Sequence, residues 1–401
     1  MIVALRHVRL INGLGSVQER ATVVIRDDRI LSAGESRSIT VPRGAVELDV
    51  RGMTVLPGLI DCHVHLGLGG EPDVVAAVQA DSPGMTLLKA TRYARQTIES
   101  GVTSVRDLGC RDHGIFALKQ AIDAGLVPGP RILAAGLAIC MTGGHARFIG
   151  READGPVEIV RAVREQLAAG ADFIKIIASG GVLTPGTSPD QAQYSVEEIR
   201  TAVQEAQRAG KQVAAHAHGA SGMKQAVAAG VRSIEHATLM DDDAAEAMVQ
   251  HDVFMVPTLS ALATTAGCPL GSGVPESAVQ KAKDMSARHE VSFKKAHRRG
   301  VRIAMGTDAG TPFNYHGDNA QELERMVALG MSPMEAILSA TASAAALLGL
   351  DEQIGTIQPG KQADLVIVEG NPLKRIGLLR DRTRLAGVMM QGRLVSGPLA
   401  G

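Results

Sequence analysis

Residues 55–65 read Val55-Leu56-Pro57-Gly58-Leu59-Ile60-Asp61-Cys62-His63-Val64-His65. This apolar run predicts a buried strand, and side chains along a strand alternate between its two faces. His63 and His65 should therefore point to the same side, so that their imidazoles converge. Taken alone, two histidines at this spacing are equally consistent with a structural role in which both rings bond backbone carbonyls. Residues farther along the chain decide between the two interpretations.

The middle of the chain alternates between short apolar strands and amphipathic helices, which is typical of βα units around a parallel sheet. Eight such strands run from the one that holds His63 to one at residues 302–308. We therefore predict an α/β fold in which a (β/α)8 TIM barrel spans residues 57–352. An open, doubly wound sheet is the alternative, but its usual glycine-rich phosphate-binding turn after the first strand is not found.

The two ends of the chain show a different pattern. Residues 1–56 read as short strands separated by turns, and residues 353–401 contain three more strands. The turns are Asn12-Gly13, Asp27-Asp28 and Pro42-Arg43-Gly44. We predict that the N-terminal part (1–56) and the C-terminal part (353–401) pair into one small β-sandwich beside the barrel.

The composition limits the classes of function. The chain has 401 residues, a formal net charge of −1 and 45% hydrophobic residues. It has no basic surface that would attract nucleic acid or an anionic membrane. No signal-peptide pattern and no uninterrupted apolar window of about 18 residues is present, so we expect a soluble, cytoplasmic protein with no membrane contact. The four cysteines are scattered singly, which argues against disulfides and against a thiolate zinc site.

Six polar residues fall at the C-terminal ends of the predicted barrel strands, where the catalytic residues of such barrels lie. They are His63, His65, Lys175, His216, His236 and Asp308. Neutral imidazoles together with a carboxylate suit zinc or a similar divalent ion, and Asp308 is also placed to act as a base. Each residue taken alone has a structural explanation, but six of them at one end of one barrel favour a metal-dependent active site.

Several motifs resemble those of the amidohydrolase superfamily, and the similarity extends over essentially the whole chain. The motifs are PGLIDCHVH at 57–65, FIK at 173–175, HAH at 216–218, IEH at 234–236, GTDAGT at 306–311 and GTIQPGKQADL at 355–365. Two further motifs, MTGGH at 141–145 and IASGGV at 177–182, resemble one branch of the imidazolonepropionase-like amidohydrolases. This branch contains Xaa-Pro dipeptidases, L-amino-acid carboxypeptidases and ochratoxinase-like enzymes.

The resemblance implies a binuclear centre of two divalent metal ions, zinc above all, in which Lys175 is carboxylated by carbon dioxide and bridges the ions. One ion would be held by His63, His65 and Asp308, and the other by His216 and His236. It further implies that a hydroxide between the ions attacks the scissile carbonyl.

The resemblance also assigns two catalytic roles. Asp308 would take the proton from the attacking water and pass it to the leaving amine. His145, in the loop after the third strand, would stabilise the developing oxyanion. Because glycine-rich loops often hold a histidine by backbone hydrogen bonds, a purely structural role for His145 stays open.

Substrate-binding residues are less sharply indicated. His218 should share the inward face of its strand with His216 and is a candidate for binding a substrate carboxylate, since ochratoxinase-like relatives carry histidine there. Loop candidates for the same role are Arg147, Arg151 and Tyr194, for which a surface location without function is an equally good explanation. The segment 258–266, which we predict as a loop after the seventh strand, is small and apolar, and this favours an uncharged substrate side chain.

The predicted function is metal-dependent hydrolysis of amide bonds in a small-molecule substrate, namely a dipeptide or N-acyl amino acid with an apolar moiety. The activity would resemble that of a prolidase, a carboxypeptidase or an ochratoxin hydrolase. One alternative is opening of a cyclic amide, such as imidazolonepropionate or a lactam. Another is an inactive barrel scaffold, which would require a broken ligand set, whereas all six residues are present. The resemblance also implies a homo-oligomer, with octamers among the relatives.

Overall fold

The computed structural model describes residues 1–269 and 271–400. The strands are β1 (Ile2–Ile11), β2 (Val17–Arg26), β3 (Arg29–Glu35), β4 (Val46–Asp49), β5 (Met53–Pro57), β6 (Leu59–Val64), β7 (Val102–Asp107), β8 (Arg131–Ala134), β9 (Ala138–Cys140), β10 (Gly150–Glu152), β11 (Ile174–Ile177), β12 (Val213–Gly219), β13 (Ser233–Leu239), β14 (Phe254–Val256), β15 (Leu365–Glu369), β16 (Leu385–Met390) and β17 (Arg393–Ser396).

The α-helices are α1 (Val74–Ala80), α2 (Pro83–Glu99), α3 (Gly114–Asp123), α4 (Gly155–Ala169), α5 (Val196–Arg208), α6 (Ala220–Ala229), α7 (Asp242–Gln250), α8 (Leu259–Ala266), α9 (Glu276–Arg299), α10 (Gln321–Ala328), α11 (Pro333–Ser339) and α12 (Ala342–Leu348). Short 3-10 helices lie at Ser36–Ser38, Arg147–Ile149, Ile376–Leu379, Arg382–Arg384 and Pro398–Ala400.

The central strands form a parallel barrel. β6, β7 and β8 are neighbours in one sheet, and β9, β11, β12, β13 and β14 follow one another in a second. β8 and β9 together occupy the third position of the barrel, because β8 pairs with β7 whereas Ile139 of β9 pairs with Ile176 of β11. This arrangement confirms the predicted (β/α)8 barrel, and it brings the C-terminal ends of the strands together at one face.

The eighth barrel position is closed by side chains as well as by backbone. Regular strand was predicted at 302–308, and this was wrong: the structure has isolated bridges here, Ile303 with Met255 and, one residue past the segment, Ala309 with Val64. The buried carboxylate of Asp61 accepts the backbone N–H groups of His63 and Thr307, both at 3.1 Å. It therefore adds to the backbone bonds that Cys62 N–H and Asp308 N–H donate to the carbonyls of Met305 and His63, and it joins the first strand to the last.

Strands from both ends of the chain form a single mixed sheet of eight strands. Its order is β17-β16-β15-β5-β1-β2-β3, and β4 pairs with β1. β15 and β5 are antiparallel neighbours, so the two chain ends meet at this pair. The sheet has its own apolar core, separate from that of the barrel. This core includes Leu5, Val23 and Ile367.

The helices begin and end where local sequence signals place them. α5 starts with a capping box, in which Ser195 accepts from the backbone of Glu198 and the Glu198 side chain returns to the backbone of Ser195. α4 and α9 end at Gly170 and Gly300, which adopt the left-handed conformation. Within the described ranges, no helix combines the length and the apolar character needed to span a bilayer.

Candidate active site

A cavity opens at the C-terminal ends of the barrel strands. Its volume is about 720 Å³ when the open mouth is included. All six polar residues predicted at the strand ends line it, together with His145 and His218. Each of these eight side chains is buried. The fold therefore gathers the predicted metal ligands, the predicted oxyanion residue and the predicted carboxylate-binding histidine in one place.

The first group consists of His63, His65 and Asp308. The Nδ1 of His63 lies 2.9 Å from a carboxylate oxygen of Glu235, and that of His65 lies 2.8 Å from the carbonyl of Gly109. Both partners accept only, so each Nδ1 is the donor, and in the neutral rings, which are the form that binds a metal ion, each Nε2 keeps its lone pair. These two Nε2 atoms lie 3.5 and 3.3 Å from Oδ1 of Asp308, which is also an acceptor. Three acceptors that converge without a donor fit a bound cation.

The second group consists of His216, His218 and His236, whose potential ligand nitrogens all lie within 4.8 Å of one another. Nδ1 of His218 and Nδ1 of His236 are each 2.7 Å from a threonine hydroxyl, Thr238 and Thr258 respectively. His216 instead uses Nε2, 3.2 Å from the carbonyl of Gly180. Each ring thus has one anchored nitrogen and one left for a ligand, an arrangement typical of metal-binding histidines.

The electrostatics keep this second group uncharged. Burial lowers the pKa of His216, His218 and His236 well below the ordinary value, and the neighbouring cationic groups add to the effect. Neutral imidazole is the form that binds a metal ion. The position of His218 in this group also gives it a possible role beyond the predicted one in substrate binding, and both roles remain predictions.

Lys175 lies on β11 and lines the same cavity. Its Nζ atom is buried and has no hydrogen-bond partner among the described residues. Burial lowers the pKa of this amine to about 8. A buried ammonium without a partner is unfavourable, and the neutral amine is the form that reacts with carbon dioxide. The orphaned amine and the two ligand groups therefore fit two divalent ions and a carboxylated lysine between them.

A buried ion pair supports the first group from behind. Arg106 Nη2 donates to Glu235 Oε1 at 2.7 Å, while the other carboxylate oxygen accepts from His63. Burial opposes ionisation of Glu235, but Arg106 and His63 outweigh it and lower the pKa to about 2. Sequence reasoning missed Arg106 and Glu235. A carboxylate inside an apolar strand, directly before His236, was the available signal.

His145 is held by the loop that follows β11. Its Nδ1 lies 2.9 Å from the hydroxyl of Thr184, and the backbone N–H of Ala146 donates to the same oxygen at 3.3 Å. Because the Thr184 hydroxyl has no other acceptor among the described residues, we assign its proton to His145 Nδ1, which leaves Nε2–H as a donor. A Cβ on Gly181 would lie 2.3 Å from this Nε2, so glycine there makes room for the ring.

The backbone around the site is strained. Non-glycine residues with positive φ include Ala146 (61°), His236 (70°), Ala237 (51°), Thr258 (51°) and Asp308 (59°). Such conformations cost of order 1–3 kcal/mol each and concentrate at functional sites, where surrounding contacts enforce them. Each of these residues lies at or beside a predicted ligand, its anchor or His145. Five of the ten non-glycine residues with positive φ in the described chain thus lie at the predicted site.

The upper part of the cavity is apolar. Its wall is formed by Leu68, Phe148, Ile149, Val182, Leu183 and Leu262. The segment 258–266 was predicted as a loop, and this was wrong, since Leu259–Ala266 forms α8. Buried Glu322 stabilises the start of this helix by accepting the backbone N–H groups of Leu259 and Ser260, at 2.7 and 2.8 Å.

Three predicted substrate-binding residues do not line the cavity. Arg147 is exposed. Arg151 forms ion pairs with Glu158 and Glu165, at 3.2 and 2.9 Å. Tyr194 is buried elsewhere and donates its hydroxyl to the carbonyl of Ala153 at 2.6 Å. Their side chains are therefore engaged by neighbouring elements or directed to solvent, and the structure gives no support for their predicted role.

The family model "Amidohydrolase family" matches residues 54–395. The chain belongs to the amidohydrolase family. Ochratoxinase from Aspergillus niger is 31% identical over an alignment that covers 97% of this chain and 85% of that protein. The crystal structure of a Xaa-Pro dipeptidase with bound methionine in the active site has a TM-score of 0.91 and 37% identity, covering 99% of this chain and 100% of that one. Imidazolonepropionase from Symbiobacterium thermophilum is 25% identical over 92% of this chain and 88% of that protein.

Proposed function

We propose that this amidohydrolase is a metal-dependent hydrolase of dipeptides or N-acyl amino acids that carry an apolar group. One observation carries the proposal: a single cavity joins a floor of buried ligand groups to a wall of aliphatic and aromatic side chains. An apolar wall favours substrates with an apolar moiety because it removes their surface from water. The similarity to an ochratoxinase and to a Xaa-Pro dipeptidase supports the same class.

The proposed metal ligands are divided between two positions. His63, His65 and Asp308 would hold one ion and His216 with His236 the other, and carboxylated Lys175 would bridge them. When bound, divalent ions such as Zn²⁺ supply a Lewis acid for the scissile carbonyl and lower the pKa of water.

The protein's own groups carry the remaining steps. Asp308 would accept a proton from the attacking water and deliver it to the leaving nitrogen, which must be protonated for the C–N bond to break. His145 would donate Nε2–H to the carbonyl oxygen as negative charge develops there. The hydroxyl of Thr184 would keep that proton on Nε2. The apolar wall would orient the substrate so that its carbonyl faces His145.

We expect His145→Ala to lower kcat by about 10²–10³ with little change in KM, because an oxyanion donor acts mainly in the transition state. Steady-state kinetics on an N-acyl amino acid, with metal content measured in the same preparation, would check this. His297→Ala, on an imidazole at the end of α9 outside the cavity, is the matched control. A His145 variant with wild-type kcat would show that this residue has only a structural role.

A second candidate function is hydrolysis of an uncharged or cyclic amide. Among the described residues that line the cavity there is no arginine, and the only lysine is Lys175. A substrate carboxylate would therefore meet no fixed positive charge from a side chain, and His218 would have to bind it. The similarity to an imidazolonepropionase is the reason to include cyclic amides in the substrate panel.

Matched substrates distinguish the two functions. If His218 binds a substrate carboxylate, we expect amidation of that carboxylate to raise KM by about 10–100-fold, the usual value of a hydrogen bond to a charged group. His218→Ala should raise KM similarly for the free acid and should be affected little by amidation, because both changes remove the same interaction. Equal hydrolysis of the free acid and its amide, or a preference for lactams in the same panel, would favour the second function.

A further inference from the structure

Lys281 of α9 makes an unusual set of contacts. Its ammonium donates to three backbone carbonyls of the segment 181–187, those of Gly181 (3.3 Å), Thr184 (3.1 Å) and Thr187 (2.7 Å). An ammonium has three donors, so these contacts use all of them. No carboxylate among the described residues pairs with Lys281, and burial alone lowers the pKa of its ammonium. Among the described residues, the polar partners of this half-buried ammonium are therefore the carbonyls of one loop.

That loop, which we call the 181–187 loop, touches the site in two ways. Its Val182 and Leu183 form part of the apolar wall. Its Thr184 bonds both the ring of His145 and the backbone of Ala146. The loop contains no regular helix or strand. Its internal ties come from the Thr187 hydroxyl, which donates to the carbonyl of Thr184 at 3.1 Å.

We propose that Lys281 is a positioning residue, which clamps the 181–187 loop and thereby sets the place of His145 and of the apolar wall. The Lys281 ammonium binds three carbonyls that are spaced three residues apart in the sequence. These bonds hold the loop in a compact turn. Hydrogen bonds from a charged donor are stronger than neutral ones. The bonds from Lys281 therefore contribute more to the order of the loop than the bonds of the Thr187 hydroxyl do. The catalytic part of the inference rests on the proposed function, whereas the ordering of the loop does not.

Lys281→Met tests the ordering directly, because methionine keeps the apolar stem and removes the donors. In hydrogen–deuterium exchange of the full-length protein, we expect the hydrogen-bonded amides of Gly181 and Ala146 to exchange about tenfold faster than in the wild type. Lys283→Met is the matched control, since Lys283 is exposed on the same helix. Lys281→Arg, which retains donors, should exchange more slowly than Lys281→Met.

A double-mutant cycle separates positioning of His145 from general weakening of the fold. We expect Lys281→Met to lower kcat about tenfold in the wild type, and to change kcat little when His145 is already alanine. Metal content should equal that of the wild type in every variant. A variant destabilised as a whole would lose activity in both backgrounds instead.

Two results would overturn the clamp: exchange of the 181–187 loop in Lys281→Met equal to that of Lys283→Met, or an equal loss of kcat with and without His145. If the wild type hydrolyses none of the amides in the panel, the proposed function fails. The exchange measurement needs no substrate, so it still decides whether Lys281 orders the loop.

Discussion

Glu235→Ala is expected to lower the free energy of unfolding by about 3–5 kcal/mol, because it leaves the guanidinium of Arg106 buried without its counter-charge. The pair is 2.7 Å apart, and its side chains are 5% and 0% exposed. The desolvation cost of Arg106 is thus met almost entirely by this contact and by hydrogen bonds to Ser233 and to the carbonyl of Cys62. Urea unfolding of metal-depleted protein would measure the loss apart from any effect of bound ions.

The same substitution should weaken metal binding about 10–100-fold, since Glu235 fixes the tautomer of His63 in which Nε2 is free. The double variant Arg106→Met with Glu235→Leu separates the two effects. Replacing both charges with apolar groups should restore much of the stability, whereas metal affinity should stay low. Unchanged metal affinity in both variants would mean that Glu235 serves only the fold.

The barrel was predictable from the sequence because its signals are local. Strands such as β7 and helices such as α6 are short apolar runs and amphipathic segments whose periodicity is visible along the chain. The irregularity of the eighth strand was not predictable, because one of its backbone N–H groups bonds Asp61, which lies 246 residues from Thr307 in the sequence. A hydrogen bond between residues so far apart does not appear in the hydrophobic periodicity along the chain.

The ligand residues of the site were predictable for the same reason, whereas the residues that support them were not. His63, His65, His216, His236 and Asp308 were found because each lies at the end of a recognisable strand. The groups that hold the rings in place were not predictable, because they belong to other elements of the fold. They are Thr184, Thr238, Thr258 and Glu235, together with Lys281, which acts through the 181–187 loop. α8 was read as a loop for a similar reason, since its N-terminal amides are bonded by Glu322, more than 60 residues away.

Removal of metal is expected to abolish amide hydrolysis, because no side chain in the described cavity replaces the Lewis acid. The converging acceptors of His63, His65 and Asp308 would then repel one another or bind a proton. Metal-depleted protein should therefore also unfold at a lower temperature than the metal-loaded form, since a ligand that binds only the folded state adds to its stability. Added Zn²⁺ should restore both properties.

The most direct test is elemental analysis of bound metal alongside hydrolysis of a dipeptide and N-acyl amino acid panel, before chelation, after it and after reconstitution. We expect activity to disappear on chelation and to return in proportion to bound metal, up to two ions per chain. Full activity in protein shown by elemental analysis to contain no metal would contradict this expectation.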